Sequence, residues 1–211
     1  MTTDNNQRKV AVFDFGHVLF QVDQEGMYRK LFQSDGRSED ELQHFLGNVF
    51  THDHRSLANN ARSAADITGP LAEKNPEWAK YILAFNADQD FLKIITGIMP
   101  GMEDMLKELK GHGYELYGLT NWSGDTFDKL DAAYPHITGL FNKIVVSGKV
   151  GIKKPDPAFY AHAQKEYDNP EPANVYFFDD KPRNTTGAKD SVGWNGIVFK
   201  DASTVRKALK L

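Results

Sequence analysis

The 211-residue chain has no cysteine, which excludes disulfide staples, thiolate metal sites and a cysteine nucleophile. It has no long apolar run, and a mean hydropathy of -0.53 leaves no room for a membrane span. Met1 to Arg8 is polar and lacks the apolar stretch of a secretory signal. A soluble, cytoplasmic protein without membrane partners is therefore expected. There is no surplus of positive charge: Lys and Arg number 25 against 29 Asp and Glu, for a net charge of -4. That balance argues against general affinity for nucleic acid phosphates. Internal repeats and low-complexity segments are also missing. What is present, 40% hydrophobic and 26% charged residues, suits a globular domain long enough for one core plus an insertion.

Short apolar runs bounded by turn-forming residues predict strands at Lys9 to Phe13, Glu115 to Leu119, Lys143 to Val146, Val175 to Phe178 and Gly196 to Phe199. Helical spacing lies between most of them. One helix is predicted from Gly101 to Leu109, with Met102, Met105, Leu106 and Leu109 on its apolar side, and another from Pro157 to Tyr167. A third begins near Asn184 and a last runs from about Ser203 to Leu211. Alternating strands and helices imply an α/β fold with a doubly wound parallel sheet. Gln24 to about Asn86 differs, reading as several amphipathic helices without a convincing strand. This insertion leaves just after the first strand and returns before the second. It would sit above the carboxyl end of the sheet, where open α/β folds bind ligands.

Two acidic loops follow two of the predicted strands. Asp14-Phe15-Gly16-His17 comes after Val10 to Phe13, and Asp179-Asp180 comes after Val175 to Phe178. Converging carboxylates at the ends of apolar strands are costly to bury unless compensated, and a divalent cation compensates them well. The pairing points to a metal-assisted site.

Four motifs occur in order: Asp14 with its loop, Leu119-Thr120-Asn121, Gly151-Ile152-Lys153-Lys154-Pro155-Asp156-Pro157, and Phe177-Phe178-Asp179-Asp180 with Asn184. From Lys9 to the end, the chain resembles the haloacid dehalogenase-like (HAD) hydrolases that carry an all-helical cap after the first strand. The loop Asp-Phe-Gly-His-Val-Leu is similar to that of a sub-branch of sugar-phosphate phosphatases with Gly two residues after the nucleophile. The resemblance implies a Rossmann-like core of residues 9–20 and 96–211, a helical cap of residues 21–95 and a flexible tail of residues 1–8. It implies Asp14 as the nucleophile, with Mg2+ held by Asp14, the Gly16 carbonyl and Asp180. Asp179 would hold a ligand water, and Asn184 would orient loops or Lys154. The Thr120 hydroxyl and the Asn121 N–H would donate to a phosphoryl oxygen, while Lys154 would neutralise Asp14 and the phosphoryl group.

The chain departs from the commonest family pattern at Gly16, where a second Asp usually protonates the leaving group. Water, substrate hydroxyls or His17 are the available substitutes. The polar cluster His52-Asp53-His54-Arg55, expected between helices, offers His54 and Arg55 as substrate contacts, as equally it offers a solvated loop. Trp122 is expected either in the core or as a pocket wall. The expected activity is Mg2+-dependent hydrolysis of a small phosphorylated metabolite, with a sugar phosphate favoured, through an aspartyl-phosphate on Asp14. The alternatives are a 2-haloacid dehalogenase, against which the paired Asp179-Asp180 counts, and a non-catalytic metabolite-binding relative, which Gly16 motivates.

Overall fold

The computed structural model describes residues 8–86, 88 and 90–211. Of the tail expected at residues 1–8, only Arg8 falls among them, and its guanidinium donates to Glu115 at 2.8 Å. The rest of that expectation lies outside the described residues. The strands are β1 (Lys9–Phe13), β2 (Phe20–Val22), β3 (Ile95–Ile98), β4 (Tyr114–Thr120), β5 (Lys143–Val146), β6 (Val175–Asp179) and β7 (Asn195–Val198).

Five of these form a parallel sheet in the order β5-β4-β1-β6-β7. β1 is central, with both its faces apolar and the polar backbone of both its edges paired, to β4 and to β6. Val10 and Val12 pack with Phe159, Tyr160 and Ala163 on one face, while Ala11 and Phe13 pack with the larger cluster on the other. Helices Pro157–Glu166 and Pro182–Val192 cover the first face. Met102–Gly111, Gly124–Ala133 and Ala202–Leu209 cover the second. Phe13 is level with Gly118 of β4 and Phe178 of β6, so the residues just past these positions share one end of the sheet. That register brings Asp14, Thr120 and Asp179 together.

The doubly wound sheet expected from the sequence is present, and three local features differ from expectation. β2 and β3 pair antiparallel, with Phe20 opposite Ile98 and Gln21 opposite Gly97. Neither was expected, because three or four residues carry too little periodicity to be seen. Helix Gly124–Ala133 was not anticipated either; its buried residues include Gly124 and Thr126 beside Phe127 and Leu130, which blurs the apolar stripe. His52–Ala58 is a helix rather than a loop, nucleated by a capping box in which Thr51 and His54 bond reciprocally.

Between β2 and β3 the chain is helical, with α-helices Gln24–Ser34, Glu39–His44, His52–Ala58, Ala65–Lys74 and Ala79–Leu83. Their apolar sides meet in an aromatic cluster. The rings of Phe32 and Tyr81 lie 4.1 Å apart, and the Arg37 guanidinium sits 4.5 Å from the Trp78 ring. Among the described residues no helix is long and apolar enough to cross a membrane.

Candidate active site

Asp14 ends the central strand, its backbone N–H donating to the Phe178 carbonyl at 2.9 Å. The side chain is buried. Its Oδ1 accepts from the Phe15 N–H at 2.7 Å and lies 3.0 Å from the Lys154 ammonium. Burial pushes the Asp14 carboxyl up to about 6, against the pull of Lys154 and with some help from the like charge of Asp179.

Lys154 is also buried. Its three N–H groups are committed, to the Leu119 carbonyl at 2.6 Å, to Asp179 at 2.7 Å and to Asp14. Burial alone would lower its pKa, but Asp14 and Asp179 outweigh it and hold the ammonium above its ordinary range. The Lys154 backbone is clamped in turn by Asn121, whose amide donates to the Lys154 carbonyl and accepts from its N–H, both at 2.9 Å. Asn121 thus orients the lysine loop with its side chain.

Asp179 and Asp180 are neighbours with different surroundings. Asp179 is fully buried. It accepts from Lys154, from the Lys181 N–H at 2.9 Å and from the Asn184 amide at 2.9 and 3.0 Å. Burial raises the Asp179 pKa, yet Lys154 and these donors outweigh it, so the carboxyl lies below its ordinary range. Asp179 thereby anchors Lys154 and Asn184. Asn184 is the third residue of helix Pro182–Val192 and does not cap it.

Asp180 is half-buried, and its Oδ1 is buried without a protein partner. Oxygens of Asp14, Asp179 and Asp180 lie within 4.8 Å of one another. Three carboxylates against one ammonium leave two negative charges, and a partnerless buried oxygen among them fits a hard divalent cation. Thr120 at the end of β4 has the complementary feature, a buried Oγ1 with no protein partner. A hydroxyl held there can donate to an anion.

A cavity of about 270 Å3 opens at this point. Asp14, Gly16, His17, Thr120, Asn121 and Asn184 form its floor. His17 is exposed there, with a left-handed backbone of φ 60°. Three N–H groups, those of Val18, Leu19 and Phe20, converge on the Phe15 carbonyl and fold this loop back over the strand end. Trp122 is both wall and core: it lines the cavity, is largely buried and packs edge-on to Phe91 at 5.9 Å.

His54 and Arg55 do not line the cavity. The His54 ring is turned back onto Thr51, and the Arg55 guanidinium donates to the carbonyls of Leu46 and Phe50. The same helix instead brings His52 and its C-cap Asn59 to the cavity, joined by Gln24, Val22 and Ile94. Sequence reasoning missed these residues. The seven-residue spacing of His52 and Asn59 becomes a signal only once the segment is known to be helical.

Comparison with known proteins gives a consistent picture. Residues 8–191 match the family model for haloacid dehalogenase-like hydrolases. The chain is 36% identical over 101 residues to the sesquiterpene phosphatase astK of Aspergillus oryzae, a match covering 48% of this chain and 50% of that protein. It is 35% identical over 104 residues to the drimenol cyclase drtB of Aspergillus calidoustus, covering 49% of this chain and 19% of that one. The chain thus matches at most about half the length of these relatives. In fold it is similar to a predicted HAD-like hydrolase of Porphyromonas gingivalis, with a TM-score of 0.70, 18% identity and coverage of 97% of this chain and 98% of the other. It is also similar to a HAD-family enzyme of Bacteroides thetaiotaomicron in complex with magnesium and inorganic phosphate. There the TM-score is 0.63, with 18% identity and coverage of 92% and 95%.

Proposed function

Because the chain belongs to the haloacid dehalogenase-like hydrolases, we propose that it is a Mg2+-dependent phosphomonoesterase acting on a small phosphorylated metabolite, with a sugar phosphate favoured. The observation that carries this reading is two of the partnerless buried oxygens at this end of the sheet: Asp180 Oδ1, within the carboxylate cluster and suited to a cation, and Thr120 Oγ1, in the cavity lining and suited to a phosphoryl oxygen. A phosphoryl group needs both. A dehalogenase has no use for the first, so the free Asp180 carboxylate weighs against that alternative.

Asp14, the Gly16 carbonyl and Asp180 would hold Mg2+, which supplies positive charge to a phosphoryl group when bound. The Asp14 carboxylate attacks phosphorus, the bond from phosphorus to the leaving oxygen breaks, and an aspartyl-phosphate forms. Water then hydrolyses the acyl-phosphate, releasing inorganic phosphate and restoring the carboxylate. Lys154 fixes the Asp14 carboxylate through Oδ1 and favours its ionised form. Asp179 and Asn121 hold Lys154 in place. Thr120 and the Asn121 backbone N–H donate to the charge developing on the phosphoryl oxygens. Gly16 brings no acid to the leaving group, and His17, on the same loop, supplies a hydrogen-bonding group there. The helical segment of residues 21–95 would act as a cap, closing the cavity over residues 9–20 and 96–211.

A second reading comes from the sesquiterpene phosphatase: a phosphate ester of an isoprenoid alcohol, its tail lying on Val22, Ile94 and Trp122.

The test is phosphate release from p-nitrophenyl phosphate and a panel of sugar phosphates, with Mg2+ or EDTA, by the parent and Asp14→Asn. Metal-dependent release that falls by roughly 10³-fold or more in the variant is expected. Turnover unaffected by either change would refute the mechanism.

A further inference from the structure

The outer part of the cavity is not built by the sheet. His52 and Asn59 are two helical turns apart on one face of helix His52–Ala58, and both line the cavity. Immediately beyond Asn59, residues 60–64 strap this helix to the first residues of helix Gly124–Ala133 and of the short helix Ser147–Val150 that follows β5. Ser147 Oγ donates to Asn60 Oδ1 at 2.9 Å. The Gly124 N–H donates to the Ala61 carbonyl at 3.1 Å and the Asp125 N–H to the Arg62 carbonyl at 3.2 Å. Ser63 Oγ at 2.6 Å and the Ala64 N–H at 3.1 Å donate to the Asp125 carboxylate. The approach is too close for a side chain, since a Cβ on Gly148 would lie 2.3 Å from the Ala61 carbonyl oxygen. Asn59 is thereby held one residue from a five-bond anchor.

We infer that His52 and Asn59 read the leaving group of the phosphoester, and that this group is compact, uncharged and rich in hydroxyls. The inference rests on the phosphatase reading and deepens it. Around the cavity, His17 on its floor and Gln24, His52 and Asn59 further out offer hydrogen-bonding groups of both kinds, which match hydroxyls that both donate and accept. Lys181 is the one Lys or Arg among the described lining residues, and the Lys154 donors are spent within the protein, so a second phosphate would meet a single ammonium and no bidentate guanidinium. Val22, Ile94 and Trp122 give a single apolar wall, suited to the C–H face of a sugar ring. At about 270 Å3, the cavity is smaller than the ~300–1,000 Å3 usual for drug-sized ligands. A long apolar chain would extend beyond it and strip water from polar side chains without replacing their bonds.

The experiment is steady-state kinetics with Mg2+ on glucose 6-phosphate, p-nitrophenyl phosphate and farnesyl phosphate, using the parent, His52→Ala, Asn59→Ala and Asp125→Ala. For glucose 6-phosphate, each cavity variant should raise KM and lower kcat/KM by about 2- to 12-fold, the worth of one hydrogen bond. For p-nitrophenyl phosphate, which lacks hydroxyls, both variants should lose less than for glucose 6-phosphate. Asp125→Ala, which removes the carboxylate that holds Ser63 and Ala64 and also accepts from the Thr126 N–H at 2.8 Å, should raise KM for glucose 6-phosphate while leaving kcat on p-nitrophenyl phosphate intact. Equal losses on both esters, no loss on either, or a parent kcat/KM higher for farnesyl phosphate than for glucose 6-phosphate would overturn the inference. Full activity of Asp14→Asn would remove the phosphatase reading and this inference with it, an outcome visible before any cavity variant is made.

Discussion

Replacing Asp14 by Asn should stabilise the protein while it abolishes activity. In the folded chain, burial raises the Asp14 carboxyl from its ordinary 3.8 to about 6. Between those two values the unfolded chain has released its proton and the folded chain has kept it. Stability therefore falls as pH rises through the window from 3.8 to about 6, and the whole loss is present above it. That interval, at ~1.36 kcal/mol per pH unit, amounts to about 3 kcal/mol. Asn carries no charge to desolvate and keeps an oxygen for the Phe15 N–H and Lys154, while Lys154 retains Asp179 at 2.7 Å. In a chain of 211 residues, each kcal/mol moves Tm by ~2–4 °C, so Asp14→Asn should melt roughly 6–12 °C above the parent at pH 7.5 in EDTA. The gap should vanish below pH 3.8, where both states of the parent are protonated. Added Mg2+ should narrow it at pH 7.5 by stabilising the parent carboxylate. Thermal and urea unfolding at several pH values measure all three. An Asn variant no more stable than the parent at pH 7.5, or a gap independent of pH, would refute the reasoning.

Three further outcomes follow from the geometry. Asp180→Ala removes the carboxylate with the partnerless oxygen, and Mg2+ affinity by calorimetry should fall at least ~10-fold; unchanged affinity would move the cation elsewhere. Gly148→Ala forces a Cβ against the Ala61 carbonyl, the Gly124 N and the Trp122 carbonyl, all under 3.0 Å away, and should cost about 1–3 kcal/mol in urea unfolding; an unchanged midpoint would refute this close packing. Gly16→Asp should be accommodated, because its Cβ would lie 3.6 Å from Trp122 and 3.7 Å from Val22, ordinary contact distances. With an acid restored, kcat on glucose 6-phosphate should rise by ~10²-fold with little change on p-nitrophenyl phosphate, whose leaving group needs no proton. An equal response of both esters would show that proton donation was not what Gly16 withholds.

The central sheet was legible because its strands are runs of Val, Phe, Tyr and Leu with turn formers at each end, and Asp14 and Thr120 were found because they terminate such runs. The difference between Asp179 and Asp180 was only half legible. Alternation along a strand turns neighbours to opposite sides, but the sequence does not reveal that Asn184 reaches both oxygens of Asp179, five residues away. The outer cavity was least legible. Read as a loop, His52-Asp53-His54-Arg55 favoured its most charged member. As a helix capped by Thr51, it turns Arg55 onto backbone carbonyls and presents His52 and Asn59 instead. β2 and β3 escaped notice because their partner strands are more than seventy residues apart and each is three or four residues long.

That short ribbon determines how the helical segment is plugged into the fold. Phe20 and Ile98 face each other across the pair, so the chain departs and returns through adjacent strands, like a cord with both wires in one sheath. Everything between them can be lengthened, trimmed or exchanged while the registers of β1 with β4 and β6 stay as they are. The carboxylate end of the sheet and the surface facing it are thus free to diverge at separate rates, and the shape of the cavity can be altered through one insert without disturbing the carboxylates beneath it.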